Sequence, residues 1–148
     1  MIDKIRNLRE RTGAGVMDVK KALDEASGDE KKAAAIIKKQ GLGKAQKRSE
    51  RDTAQGLIDS YIHLGKIGVL VEVNCETDFV ARNDQFKEFT HEVALQVAQS
   101  NAKDVESLLK EEYFKDPEKT IDDLLKEIIV KTGENIKINR FEKFSLGK

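Results

Sequence analysis

Side chains of the types that do covalent or metal chemistry are scarce in this chain: His63, His91, Cys75 and a short Gly41-Leu42-Gly43-Lys44 run. The histidines lie far apart, neither is close to the cysteine in sequence, and no pair falls at helical metal-ligand spacing, so zinc is not expected. The glycine run lacks the spacing and the following hydroxyl residue of a phosphate loop, and no strand precedes it. His63, at a strand end, reads as a surface or turn residue. Cys75 closes an apolar strand face and reads as a small buried filler rather than a reactive thiol. No catalytic residue, metal ligand or cofactor is assigned, and the chain does not read as an enzyme.

The segment that asks for a partner is Asn74-Cys75-Glu76-Thr77-Asp78-Phe79-Val80-Ala81-Arg82-Asn83. Ile67, Val69, Val71 and Val73 recur at every second position, as one face of a strand does, and the strand should stop near Asn74. Thr77 suits the N-cap of a following helix, and Asn83 is a second candidate start. Asp78 and Phe79 then fall on a strand-to-helix corner where side chains project outward. The competing reading has Phe79 closing the core beneath the next helix, as aromatics at element junctions often do.

The elements that would hold this corner follow from periodicity. Ile2, Ile5 and Leu8 share one side of a short helix expected to end at Arg11, before Thr12-Gly13-Ala14-Gly15. A second helix begins near Met17, carries Val19, Ala22, Leu23 and Ala26 inward and closes at Ser27-Gly28. A third opens at Asp29 and Glu30, has Lys38 and Lys39 in its last turn and is followed by Gly41, so both ends complement the helix dipole. These place a separate three-helix module at 1–40. Residues 41–55, basic and nearly free of large apolar side chains, read as a linker or a solvated helix. An α+β core of 56–148 is then expected. It comprises a hairpin of Leu57 to His63 and Ile67 to Asn74 and an amphipathic helix from Asp84 to Asn101. A shorter helix from Val105 to Tyr113 follows, with Pro117 suiting the start of the next. That next helix carries Ile121, Leu124, Leu125, Ile128 and Ile129 and ends near Gly133. A last strand from Ile136 to Leu146 alternates imperfectly, which predicts a bulge.

Composition narrows the function classes. The 27 basic and 27 acidic residues cancel, so no net field gathers nucleic acid or lipid over the whole surface, and binding must be local. A single cysteine permits no internal disulfide and suits a reducing compartment. Met1 to Arg11 carries charge throughout and lacks the apolar stretch of a signal peptide. No run approaches the length of a membrane span. A cytoplasmic location without a membrane partner is expected.

Two long stretches carry a resemblance. Leu8-Arg9-Glu10-Arg11-Thr12-Gly13-Ala14-Gly15-Val16-Met17-Asp18-Val19-Lys20-Lys21-Ala22-Leu23, followed by Val71-Glu72-Val73-Asn74-Cys75-Glu76-Thr77-Asp78-Phe79-Val80-Ala81, resembles the translation elongation factor Ts family. Gly133-Glu134-Asn135-Ile136 to Arg140-Phe141 is similar to the family's last strand. The middle departs from it, because members generally carry a longer insertion there. The resemblance implies a guanine nucleotide exchange factor for elongation factor Tu, acting in translation elongation and hydrolysing nothing itself. It further implies a three-helix module similar to ubiquitin-associated domains that docks on the GTPase through Arg9, Val16, Met17 and Lys20. Val16 stands where methionine is common. Thr77, Asp78, Phe79 and Val80 would be presented near the partner's magnesium and phosphate site. Short members of the family can pair through their core sheets, which would give a homodimer and a 2:2 complex, and an exposed edge in so small a sheet would invite pairing. No direct nucleic-acid partner is expected.

Other readings stand beside these. Val16 and Met17 could belong to the module's own core, which needs every apolar side chain it has, and Lys20 could be a solvated charge. An RNA- or ribosome-binding accessory using the basic 38–51 segment is the alternative function, although that segment contains no aromatic for stacking. A ubiquitin-type adaptor, in which the first module binds a small protein while the core dimerises, is a third.

Overall fold

The computed structural model describes all of residues 1–148. Helices α1 (Ile2–Thr12), α2 (Val16–Glu25) and α3 (Glu30–Arg48) precede strands β1 (Gln55–His63) and β2 (Ile67–Cys75). Then come the one-turn helix α4 (Asp78–Ala81), α5 (Asp84–Gln99), α6 (Val105–Leu109), the short strands β3 (Glu112–Tyr113) and β4 (Asp116–Thr120), α7 (Ile121–Thr132) and β5 (Lys137–Ser145). The chain is α+β: an N-terminal three-helix unit compatible with a ubiquitin-associated type of module, then a small antiparallel sheet with helices packed on one face.

The first three helices close around Leu8, Val19, Ala22, Leu23, Ala33 and Ile37, all buried. α1 ends at Gly13, whose φ of 72° lets its N–H reach the Arg9 carbonyl at 2.8 Å. A side chain here would meet both a left-handed backbone and the Lys131 stem, which lies against the glycine. α3 starts where expected, with the Asp29 carboxylate accepting from the N–H groups of Lys31 and Lys32. It does not end near Gly41. The helix runs on to Arg48, because Ala33, Ile37, Gly41 and Ala45, four residues apart, make one narrow buried stripe. Val130 of α7 approaches so closely that a Cβ on Gly41 would sit 3.0 Å from its Cγ2. Arg48 donates to the Ile129 carbonyl at 3.0 Å. Small residues read as a lack of core where they are in fact a close helix crossing.

In the sheet the order is β1-β2-β5, all antiparallel. The β1–β2 hairpin turns through Leu64 and Gly65, both at positive φ, with the Lys66 N–H bonded to the His63 carbonyl at 2.9 Å. Val69, Val71, Val73 and Cys75 face inward onto Phe86, Phe89, Val93 and Val97 of α5. Against β2, Arg140 pairs with Glu72 and Ile138 with Val73, so Asn139 is the extra residue of the expected bulge.

The region between α5 and α7 differs from expectation. The helix at Val105 stops at Leu109, and Glu112–Tyr113 pairs with Asp116–Thr120 instead of continuing it. Gln96 of α5 decides this: its Nε2 donates to the Glu112 carbonyl and its Oε1 accepts from the Phe114 N–H, each at 3.1 Å. Pro117 lies in β4 at a position that no residue of β3 opposes, where its missing N–H is harmless. The start of α7 belongs to Thr120, in a capping box with Asp123.

Candidate functional site

Strand β2 ends at Cys75, whose thiol is buried and donates to the Thr77 carbonyl at 3.2 Å. Burial pushes this thiol up to about 11, with the charge of Glu134 as the second cause, so it stays protonated and inert. Two residues on, the chain turns into α4. The Thr77 hydroxyl accepts from the Val80 N–H at 3.3 Å, which is the expected N-cap, and donates to Glu134 Oε2 at 2.6 Å. Asn83 caps α5 in turn by accepting from the Gln85 N–H at 2.8 Å.

Between the two caps, Ala81 turns inward, Val80 is half-buried and Phe79 points to solvent with 90% of its surface exposed. The reading in which this ring closes the core is therefore incorrect; Phe86 and Phe89 fill that space from α5. Asp78 stands beside the ring, half-exposed and ion-paired with Arg82 one turn later. A ring this exposed, on the side of the turn that carries the Asp78–Arg82 pair, has no intramolecular packing task.

The four residues singled out on the first module also lie at the surface. Arg9 and Lys20 are exposed, as are Val16 and Met17 at 46% and 64%. The reading that assigns Val16 and Met17 to the module's own core is thus overturned: Val19, Ala22 and Leu23 supply it without them. Arg9 lines a groove of ≈ 670 Å³ between α1, Gln85 of α5 and Lys131 of α7, so this residue sits where the two units face each other.

Two residues to which sequence reasoning gave no task hold the corner. Glu134 Oε1 accepts from the N–H groups of Glu76 and Thr77, both at 3.0 Å. The Asn135 N–H donates to Glu76 Oε2 at 3.3 Å, while its side-chain amide reaches the carbonyls of Ser49 and Arg51. No local pattern could reveal this, because the partners lie more than fifty residues away in sequence.

The remaining polar clusters are small. Tyr61 bonds His63 Nδ1 at 2.8 Å and Asp59 bonds His91 Nδ1 at 3.1 Å, both exposed at the edge formed by β1. His63 and Cys75 belong to opposite ends of the hairpin, opposite Ile67 and Gln55 respectively. No group of three or more His, Cys, Asp or Glu side chains is placed to hold a metal ion. No helix is long and apolar enough to cross a membrane.

Comparison with known proteins gives this arrangement a family. A family profile described as Elongation factor TS matches residues 76–148, from the exit of β2 onward. Elongation factor Ts of Thermoanaerobacter sp. is 43% identical over 190 aligned positions, covering 97% of the chain and 93% of that relative. The chain belongs to the elongation factor Ts family. The Ts protein of Desulfosudis oleivorans is 40% identical, with 97% of the chain and 96% of the relative covered. That of Nostoc sp. is 49% identical over 143 residues, covering 96% of the chain and 45% of the relative. The 190-position alignments exceed the 148 residues of the chain, so those family members carry residues that it lacks.

Proposed function

We propose that this chain is a guanine nucleotide exchange factor for elongation factor Tu, acting in translation elongation without catalysing bond chemistry of its own. The observation that carries the mechanism is Phe79, exposed at 90% on a turn that Thr77 caps at its start and standing beside Asp78. Magnesium–GDP is held in a GTPase by many charge-assisted contacts, so a small displacement of the loop that supplies them weakens several together. A thousandfold faster release requires a barrier lowered by about 4 kcal/mol. An inserted ring, with a carboxylate disturbing the surroundings of the ion, supplies that scale when docking contacts elsewhere hold both in register. Thr77 and Val80 complete the intruding corner. Linkage makes the effect mutual: bound nucleotide weakens the factor's grip as much as the factor weakens the nucleotide.

The docking contacts come from residues 1–40, through Arg9, Val16, Met17 and Lys20, with 41–55 connecting them to the core of 56–148. Exposed Val16 and Met17 support this, since a forty-residue unit that leaves two apolar side chains in water has a use for them. The factor works as a homodimer with one GTPase per copy. Supporting this, Ile58, Ile62, Leu70 and Phe144 are exposed on the face of the sheet opposite the helices and line or adjoin a shallow apolar groove.

Release of fluorescent GDP from loaded elongation factor Tu tests the reading. The chain should accelerate release strongly, and Phe79→Ala should remove most of that acceleration. Unchanged release with the wild-type protein would reject it. The alternative of RNA or ribosome binding through residues 38–51 is disfavoured by how four of its six cations are engaged. Lys38 pairs with Asp123, Lys44 with Asp18, and Arg48 and Arg51 bond the carbonyls at the end of α7.

A further inference from the structure

We propose that Glu134 is the positioning residue of the Phe79 corner: its carboxylate locks Thr77, and through Thr77 it sets where the ring is presented. What the ring is for rests on the exchange-factor reading; how it is held rests on geometry alone. α4 has four residues, far too few to persist by its own hydrogen bonds, so its shape depends on its cap. A threonine hydroxyl has one proton to give. Here that proton goes to Glu134 Oε2 at 2.6 Å, which turns the oxygen lone pairs toward the Val80 N–H. The other carboxylate oxygen accepts from two successive backbone N–H groups, Glu76 and Thr77. One side chain thus makes three charge-assisted bonds to the exit of β2.

Glu134 is itself well anchored. It follows Gly133, the left-handed cap of α7, and its N–H bonds to Thr132 Oγ1 at 3.3 Å. Its neighbour Asn135 is buried and bonds Glu76 and the end of α3. The outward side of α4 has no comparable support: Asp78 and Phe79 are exposed, and the Asp78–Arg82 pair is internal to the turn. Without the carboxylate, the hydroxyl is free to rotate, two N–H groups lose their acceptor, and the ring samples several directions.

The full-length protein, Glu134→Ala and Glu134→Gln are to be compared by two measurements. One is fluorine NMR of a fluorinated phenylalanine at position 79 in the free protein, and the other is GDP release at rising factor concentration. In Glu134→Ala the ring signal should broaden or split. The ceiling rate of release should fall by about tenfold or more, as expected when a group that must be held in register is misplaced, with the half-saturating concentration changed by less than about twofold. Glu134→Gln, whose amide oxygen keeps an acceptor for the two N–H groups but whose amide nitrogen cannot take the Thr77 hydroxyl proton, should restore part of both. Should Glu134→Ala not fold, Thr77→Val, which removes the hydroxyl that Glu134 orients, is read by the ring signal alone, which should broaden or split, and Thr77→Ser provides the rescue.

An unchanged ring signal in the variant, or a shift confined to the half-saturating concentration, would overturn the proposal, as would a Gln variant no better than the Ala variant. Absence of any acceleration by the wild-type protein would remove the exchange reading. The ring signal, which needs no partner, would then still decide whether Glu134 positions the corner.

Discussion

Cys75 and Phe79, four residues apart, have opposite fates that the strand period assigns. Cys75 continues the inward face of β2 and is fully enclosed; Phe79 lies past the strand end, beyond reach of that period. The buried thiol makes a testable contribution to pH dependence. Its folded value of about 11 exceeds the ordinary 9.0 of an exposed thiol, so the folded state favours the protonated form. The associated stability is complete below the ordinary value and is lost as pH rises through the folded one. Melting curves of wild type and Cys75→Ala should therefore converge between about pH 9 and about pH 11, the wild type losing more. In neutral buffer the folded thiol should resist alkylation and become labelled only in denaturant. Phe79 should behave in reverse: Phe79→Ala should change unfolding free energy by less than about 0.5 kcal/mol, because its surroundings are solvent.

At the level of elements, the α3–α7 crossing is the joint between the two units, and it rests on small residues. Gly41→Leu should push the helices apart and cost about 1–3 kcal/mol in urea unfolding. Gly43→Ala, two residues along and with open space around it, should instead gain roughly 0.5–1 kcal/mol from helix propensity. Asp123 joins the same helices. Burial acts to raise its carboxyl, but the bonds from the Thr120 N–H and from Lys38 outweigh burial and hold it below the ordinary 3.8. A depressed carboxyl contributes stability that is present above its unfolded value and lost as pH falls through the folded one. Acid unfolding below about pH 4 should thus be steeper for wild type than for Asp123→Asn, measured by circular dichroism.

For the whole molecule, helices cover one face of the sheet and leave the other open. Ile58, Ile62, Leu70 and Phe144 share that open face because β1, β2 and β5 pair in register, with Ser60 opposite Leu70 and Gly68 opposite both Ile62 and Phe144. Sedimentation should show association that strengthens with concentration, and Ile62→Glu combined with Leu70→Glu should yield a monomer with the same melting temperature within a few degrees. A monomer at all concentrations in the wild type would remove the dimer from the proposed mechanism. The two cores differ in size, eight buried residues in the first unit against twenty in the second. Deleting residues 1–40 should accordingly leave a folded core that no longer accelerates GDP release. A collapsed circular dichroism spectrum would place the boundary elsewhere.

Much of the architecture was legible in the chain itself, because its signals are local. Alternation in β2, the caps at Thr77 and Asn83, the glycines at 13 and 133 and the spacing of apolar residues along α5 and α7 each depend on neighbours a few positions away. The same local rules put Phe79 outside. What they could not supply was any feature made by a partner remote in sequence: the continuation of α3 past Gly41 against Val130, the β3–β4 pairing held by Gln96, and the grip of Glu134 on Thr77. Each depends on a side chain whose place is fixed only once the sheet and helices have closed. Hydrogen bonds of that kind leave no periodic trace along the chain, and the four-residue spacing of Ala33, Ile37, Gly41 and Ala45 reads as a packed face only once Val130 lies against it.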